Sequence, residues 1–317
     1  MIPDIPPPHK IRQEKEKIRP KNAAILRIPC NLHTVWEFFF MTSAKTILIT
    51  GVSCGFGLAL AREALAAGHQ VIGTVRNREA QKAFEALDAQ RAFGRLLDVT
   101  DVERIDKVVN EIESDVGPIE VLVNNAGYGH EGILEESSLA EMRRQFDVNV
   151  FGAVAMIKAV LPGMRHRRRG HIINITSMGS FITLPGISYY CGSKFALAGI
   201  SETLSKELAP FNIHVTAVAP GSFRTDWAGR SMVRSDRSIP DYDALFDPIR
   251  QARQEKSGKQ PGDPVKAAHA ILTLINSQNP PRHLLLGSDA LSLVRQDLAA
   301  LGREIDQWEN LTRSTDG

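Results

Sequence analysis

Two side chains in this sequence stand at a spacing that could move a proton. Tyr190 and Lys194 are four residues apart in YCGSK, and on a helix that interval stacks a phenol and an ammonium on one face. A free phenol has a pKa of about 10 and shuttles protons poorly at neutral pH. A cation beside it favours the phenolate, and lowering the pKa by about three units takes roughly 4 kcal/mol of preferential stabilisation. Ser177, thirteen residues before Tyr190, follows the apolar run His171–Thr176 and could hold a substrate oxygen while Tyr190 gives or takes its proton. Tyr189 competes for the role, but its own i+4 residue is Ser193, which supplies no charge. Taken alone, Tyr-x-x-x-Lys is common on helix surfaces, where a solvent-facing aromatic and a solvated lysine are the usual outcome. The upstream sequence decides.

The elements that must position these residues are written in alternation. Apolar runs of strand length occur at Thr46–Thr50, Val71–Val75, Ala92–Leu97, Ile119–Val123, His171–Thr176, His214–Ala219 and His283–Leu286. Amphipathic stretches such as Leu58–Ala67, Val102–Asp115 and Phe146–Met164 lie between them. Strands alternating with helices imply right-handed crossovers and a parallel sheet covered on both faces. The expected fold is therefore α/β: a single doubly wound domain of Rossmann type with about seven parallel strands. Its ligands belong at the carboxyl ends of the strands.

The first strand runs into Gly51-Val-Ser53-Cys54-Gly55-Phe56-Gly57 and then a helix. A glycine-rich turn there lets backbone N–H groups approach a pyrophosphate at the helix N-terminus. A bare tight turn would read the same, but the strand-to-helix context is the one a dinucleotide site requires. After strand two comes Arg76, where an acid would suit the ribose 2′-OH of NAD and an arginine suits the 2′-phosphate of NADP. Asp98 and Val99 follow strand three, at the rim where an adenine amino group could be held. Asn124, Asn125, Ala126 and Gly127 end strand four, where they could pin backbone beside a cofactor.

Together, Thr50-Gly-x-x-x-Gly55-x-Gly57, Asn124-Asn-Ala-Gly127, Asn149, Ser177, Tyr190-x-x-x-Lys194 and Pro220-Gly221 resemble the single-domain branch of the short-chain dehydrogenase/reductases, over about residues 44–290. Within that family the chain is similar to the retinol and 17β-hydroxysteroid dehydrogenase-like group. The resemblance implies Tyr190 as catalytic acid/base and Ser177 as the residue orienting the substrate oxygen. Lys194 would bind the nicotinamide ribose and depress the tyrosine pKa. Asn149 would bind a water that joins Lys194 to solvent. Gly51, Ser53, Gly55, Phe56 and Gly57 would hold the pyrophosphate, Asp98 and Val99 the adenine, and Asn125, Ala126 and Gly127 the adjoining backbone. Pro220, Gly221 and Thr225 would border the nicotinamide. Cys54 stands where the family often has serine, so the expectation of NADP(H) over NAD(H) rests mainly on Arg76.

What surrounds this core narrows the reading. The chain has 317 residues, is 43% hydrophobic and carries a formal net charge of +2, which makes no global case for nucleic acid or membrane. Cys30, Cys54 and Cys191 are scattered without metal-ligand spacing, so no metal is expected and a reducing, cytoplasmic setting is. No apolar run approaches the ~20 residues of a membrane span. Residues 1–43 are proline- and charge-rich at the start, and are expected to be a poorly ordered extension, with natural translation beginning at Met41. Residues 222–257 form a long segment after strand six, with Phe223, Trp227, Met232, Tyr242 and Phe246, and read as a lid over an apolar alcohol or carbonyl substrate. Arg165–Arg169 falls at a helix end, where cations suit the helix dipole. Asp263 reads as an N-cap, and Leu291–Leu311 as an amphipathic C-terminal helix suited to packing or to another subunit in a homo-oligomer. The functional expectation is an NADP(H)-dependent oxidoreductase interconverting an alcohol and a ketone or aldehyde. The alternatives are a dinucleotide-sensing regulator without catalysis, or an interaction protein working through the N-terminal arm.

Overall fold

Seven of the apolar runs pair side by side in a computed structural model, which describes residues 44–317. The extension expected over 1–43 and the start at Met41 lie outside the described residues. Strands β1 (Thr46–Ile49), β2 (Gln70–Val75), β3 (Ala92–Leu96), β4 (Val121–Asn124), β6 (Gly170–Ile175), β7 (Ile213–Pro220) and β9 (His283–Leu286) form one sheet in the order β3-β2-β1-β4-β6-β7-β9. Every pairing is parallel. A separate two-stranded sheet joins β5 (Gly129–Glu131) to β8 (Met232–Arg234), and it has no counterpart among the expected strands. Three-residue strands are too short for alternation to register.

The sheet is covered on both faces, as its unbroken apolar strands require. On one face α1 (Gly55–Ala66) and α8 (Pro264–Ile275) pack Leu60, Ala64, Ala268 and Ile271 against Ile47, Ile49 and Val123. On the other, α3 (Val102–Asp115) and α5 (Ala153–Arg167) bring Ile105, Val109, Met156 and Val160 onto Leu48, Leu122 and Ile172. α2 (Arg78–Glu85), which follows β2, is capped by Asn77, whose side chain accepts from Ala80 N at 2.8 Å. Asp263 caps α8 as expected, accepting from Val265 N at 2.8 Å. The strand order reverses between β1 and β4, and the carboxyl ends of those two strands open a crevice there.

The stretch read as one helix over Phe146–Met164 is longer and is not uniform. α4 (Leu139–Phe146) runs through a π-helical turn, Asp147–Gly152, into α5. Together they make the one described helix long and apolar enough to cross a membrane, a length the sequence reading did not anticipate. In this fold Met156, Ile157, Val160 and Met164 of that helix are spent on the core. The basic run at its end is engaged by the chain itself. Arg167 forks onto Glu113 at 3.0 and 2.9 Å, Arg169 pairs with Glu120, and Arg168 donates to the Pro210 carbonyl.

The segment read as a lid is fastened down at its middle and toward its C-terminal end. It comprises β8 and α7 (Asp243–Glu255), with short 3₁₀ turns at Asp226–Ala228 and Pro240–Tyr242. The Glu131 carboxylate, fully buried, meets Arg234 Nε at 2.9 Å, Arg250 Nε at 3.5 Å and the Arg253 guanidinium. Glu136, also fully buried, accepts from Arg237 Nε at 2.9 Å and from the backbone of Ser238 and Ile239. Arg237 in turn lies over the Phe246 ring, which packs against Gly186 so closely that a Cβ there would stand 2.0 Å from it. In Glu131 and Glu136, the loop after β4 holds this segment by its buried charges.

His171 sits inside the sheet on β6, its Nε2 3.1 Å from Thr216 Oγ1 and its ring 5.9 Å from that of His214. Burial first, and then the neighbouring His214 and Lys45, push its pKa down to about 3. The folded state thus refuses a proton that the unfolded chain takes up near pH 6.5, so stability falls as pH drops below 6.5 and continues to fall toward 3. Denaturant unfolding should show the His171→Gln variant losing about 2 kcal/mol less than wild type between pH 7 and pH 5.

Candidate active site

The Tyr190–Lys194 pair lies on α6 (Ser188–Leu208), which begins two residues before the tyrosine. Both side chains are buried, at 7% and 6% exposure, on the helical face turned toward the ends of β4 and β6. Lys194 Nζ donates to the Ile175 carbonyl at 2.8 Å, at the end of β6, and stands 5.7 Å from the centre of the Tyr190 ring. Ser177, two residues past β6, caps a 3₁₀ turn by accepting from Gly179 N at 3.0 Å. Its hydroxyl proton remains free to be donated. It also lies near enough to the Tyr190 hydroxyl to favour the phenolate. Tyr189 faces elsewhere: its hydroxyl donates to the Ser137 carbonyl at 2.8 Å and its ring packs on His130. The two adjacent tyrosines therefore separate into a structural one and one that faces the site.

The electrostatics differ from the sequence expectation. Burial raises the Tyr190 hydroxyl above the usual phenol range, Ser177 opposing it only in part. Lys194 does not pull it down. Desolvation of the ammonium pushes Lys194 itself down to about 8. In the chain alone, two buried groups each resist their charged form.

Asn149 also departs in part from its expected role. It sits in the π turn, where the widened backbone turns it inward with Val150 and Gly152. Its Oδ1 accepts from Tyr128 N at 3.1 Å, while Nδ2 donates to the Tyr128 carbonyl and to Ser193 Oγ, both at 3.1 Å. Ser193 Oγ then donates to the Tyr190 carbonyl at 2.7 Å. Both amide N–H groups are thus committed to holding the loop after β4 against α6. Only the second lone pair of Oδ1 and the backbone carbonyl could serve a water.

At the switch point, Asn125 Nδ2 donates to the carbonyls of Thr50 and Gly51, both at 2.9 Å. Thr50 Oγ1 accepts in return from the backbone N–H groups of Asn125 and Ala126 at 3.0 and 2.9 Å. These bonds lock the end of β4 to the glycine turn. Gly51 and Gly55 hold φ of +72° and +59°, and a Cβ on Gly57 would meet the Gly51 carbonyl oxygen at 2.3 Å. Cys54, at the N-cap of α1, makes no side-chain cap bond, so the N-terminal amides of that 12-residue helix face the cleft uncapped. Open amides at a helix N-terminus beside a turn that admits no side chain fit a pyrophosphate. The turn is therefore compatible with a dinucleotide.

One cleft of about 1390 Å³ runs over all of these groups. That exceeds the roughly 300–1,000 Å³ of a pocket for one small ligand and leaves room for a dinucleotide with a second molecule. Every expected site residue lines it except Gly57 and Asn149, which brace the wall from behind. Arg76 is exposed at its rim after β2, and Asp98 holds the next turn, accepting from Thr100 N at 3.0 Å. Pro220 ends β7 and Gly221 follows it, beside Asp289, which accepts from Ser222 N at 2.8 Å. Beyond Tyr190 the walls turn apolar, with Met178, Ile182, Leu184, Ile187 and Val233. His130, Glu141 and Arg144 line the cleft as well, and nothing in the local sequence pattern singled them out.

A sequence profile described as short chain dehydrogenase matches residues 45–234. The chain is 35% identical to an oxidoreductase of Botryotinia fuckeliana, BOA17, over 84% of its own length and 98% of that protein's. It is 39% identical to a 3-ketodihydrosphingosine reductase of Bacteroides thetaiotaomicron, over 77% and 88% of the two chains. It is 38% identical to human retinol dehydrogenase 8, over 75% and 79%. The crystal structure of a short-chain dehydrogenase from Streptomyces avermitilis superposes with a TM-score of 0.81 at 42% identity, covering 86% of this chain and 99% of the other. ElxO, solved with NADP bound, superposes with a TM-score of 0.66 at 27% identity, over 78% and 99%.

The depressed pKa of Lys194 has a consequence for stability. Below pH 8 the folded chain bears the full cost of a buried ammonium, about 3 kcal/mol relative to the unfolded state. Between pH 8 and 10.5 the folded state sheds the proton first, so stability rises with pH. A Lys194→Met variant should therefore be more stable than wild type to denaturant at pH 7 without cofactor, by about 2 kcal/mol after loss of the bond to Ile175. The gain should shrink as pH is raised toward 10.

Proposed function

The chain belongs to the short-chain dehydrogenase family and is an oxidoreductase, and from that premise we propose that it interconverts an apolar alcohol and its ketone or aldehyde with NADP(H). The observation that carries the reading is the buried Tyr190 side chain, set in one cleft with Ser177, Lys194 and the glycine turn. The bound dinucleotide supplies the hydride chemistry. The amides of α1 and the turn at Gly51–Gly57 would hold its pyrophosphate, Asp98 and Val99 its adenine end, and Pro220, Gly221 and Thr225 its nicotinamide end.

The chain's own groups handle the oxygen. Ser177, fixed by the Gly179 amide, donates to the substrate oxygen and orients it. Tyr190, held protonated by burial, gives its proton to that oxygen in reduction and receives one in oxidation. Lys194, anchored to Ile175, faces the same space and stabilises the phenolate once the proton has left. Asn149 is a positioning residue, keeping Tyr190 and the loop after β4 at fixed separation through Ser193. The preference for NADP(H) rests on Arg76 at the rim and is supported by the NADP-bound ElxO structure. Apolar walls beyond Tyr190 suit an apolar substrate, a reading supported by the likeness to a retinol dehydrogenase and a 3-ketodihydrosphingosine reductase.

Tyr190→Phe should lower kcat for carbonyl reduction by at least about a hundredfold while NADPH affinity, read by fluorescence titration, stays within about threefold of wild type. Turnover close to wild type in that variant would refute the assignment. Arg76→Asp should swing the ratio of kcat/KM for NADPH over NADH by more than about tenfold toward NADH. An unchanged ratio would count against Arg76 as the 2′-phosphate partner.

A further inference from the structure

Tyr190 has one aromatic ring partner among the described residues, and the proton-transfer reading leaves it unused. Trp227, from the segment after β7, sets its indole 5.0 Å from the centre of the Tyr190 ring, inclined at 57°. Inclined pairs at that separation are a favoured arrangement of aromatic rings. The indole packs on a small apolar cluster of Ile187, Tyr190 and Cys191, apart from the two large cores against the sheet. Both rings line the cleft.

The indole is itself held. Its turn, Asp226–Ala228, is capped by Thr225, whose Oγ1 accepts from Trp227 N at 3.4 Å. The chain then joins β5, where Gly129 N donates to the Ser231 carbonyl at 2.8 Å. A Cβ on Gly129 would stand 3.0 Å from Trp227 Cε2, so the bare backbone there lets the indole lie against the strand. Strand backbone, indole and phenol thus follow one another in contact.

Burial above all keeps the Tyr190 hydroxyl protonated. Charged and titratable groups about it are few. Lys194 and Cys191 stand on its own helix, the cysteine opposing the phenolate. The chain after β6 brings Ser177 and the turn brings Trp227, neither of which titrates. Asp226, next to the indole, is paired with Arg230. The packing around the phenol therefore governs its protonation, and the indole is part of that packing.

We propose that Trp227 is a positioning residue for Tyr190, its indole holding the phenol ring in place at the cleft and keeping water from it. The inference rests on the reading of Tyr190 as proton donor and deepens it. It also gives the segment of residues 222–257 a part in proton transfer, because the seating of that segment sets the seating of the phenol.

The test compares Trp227→Ala with Trp227→Phe in the full chain. Removing the indole admits water to the phenol, which lowers its pKa toward the ordinary value. Reduction needs that proton, so kcat/KM for a medium-chain methyl ketone falls as pH rises through the Tyr190 pKa. In Trp227→Ala this alkaline limb should move down by at least about one pH unit. At pH 7 its kcat should fall by at least about tenfold while the Kd for NADPH stays within about threefold of wild type. Trp227→Phe, which keeps a ring, should recover at least about a third of wild-type kcat and return the limb to its place. An unmoved limb in Trp227→Ala, or a Phe variant as impaired as the Ala one, overturns the proposal. Should Trp227→Ala not fold, Trp227→Leu, which keeps apolar bulk without a ring, replaces it and should change in the same directions.

A direct titration needs no turnover. Ultraviolet difference spectra should count one more ionised phenol by about pH 11 in Trp227→Ala than in wild type, and adding Tyr190→Phe should abolish it. The absence of that extra phenol refutes the shielding. If no ketone is reduced, the oxidoreductase reading fails, and this count still decides the part played by the indole.

Discussion

A single buried ammonium sets the terms for the rest of the site. Lys194 is held inside the protein by one strong bond, to the carbonyl that ends β6, and solvation opposes its charge. A charge kept under such conditions must be surrounded by groups that cannot relax away from it. The chain provides this by joining the ends of neighbouring strands. Asn125 ties β4 to the turn after β1, Asn149 ties the loop after β4 to α6, and Asn124 Nδ2 reaches Asn174 Oδ1 on β6 at 2.9 Å. Asn174 continues to Ser201 on α6 at 2.8 Å. Amide side chains serve here because each can donate and accept at once, bridging backbone and neighbour without adding charge near the lysine.

Much of this was legible in the sequence, because it depends on local spacing. The seven strands announce themselves as apolar runs, the glycine turn by its position between strand and helix, and the Tyr190–Lys194 pair by a four-residue interval. What could not be read depends on partners far along the chain. Glu131 and Glu136 look like solvated acids until the arginines of residues 234–253 arrive on top of them. His130 looks like any strand histidine until Ser235 and Glu141 arrive beside it. The interval to Lys194 already favours Tyr190 over Tyr189, but the Ser137 carbonyl that takes the Tyr189 hydroxyl could not be foreseen. The direction of the Tyr190 shift was also out of reach, since the balance between an attractive neighbour and burial is decided by the surrounding volume.

The segment of residues 222–257 illustrates how charge can serve shape. It was expected to be a lid; Trp227, Val233 and Ile249 of it line the cleft, and two carboxylates with no solvent exposure grip it. Buried ion pairs contribute little net stability, yet breaking one is costly because the remaining charge is stranded. Such contacts select one seating of the segment against near alternatives, and this seating brings Trp227 over Tyr190 and α7 along the far wall.

The π turn at Asp147–Gly152 works as a phase shifter in an otherwise regular rod. Upstream of it, α4 presents Glu141 and Arg144 to the cleft; downstream, α5 presents Met156 and Val160 to the core. An uninterrupted α-helix advances by about 100° per residue, so excising one residue from the wide turn would swing the whole upstream half by about that angle. Chain lengths between β4 and β6 are therefore quantised: insertions in the loops can be absorbed, whereas the residue count inside this helix is fixed by what its two halves must face.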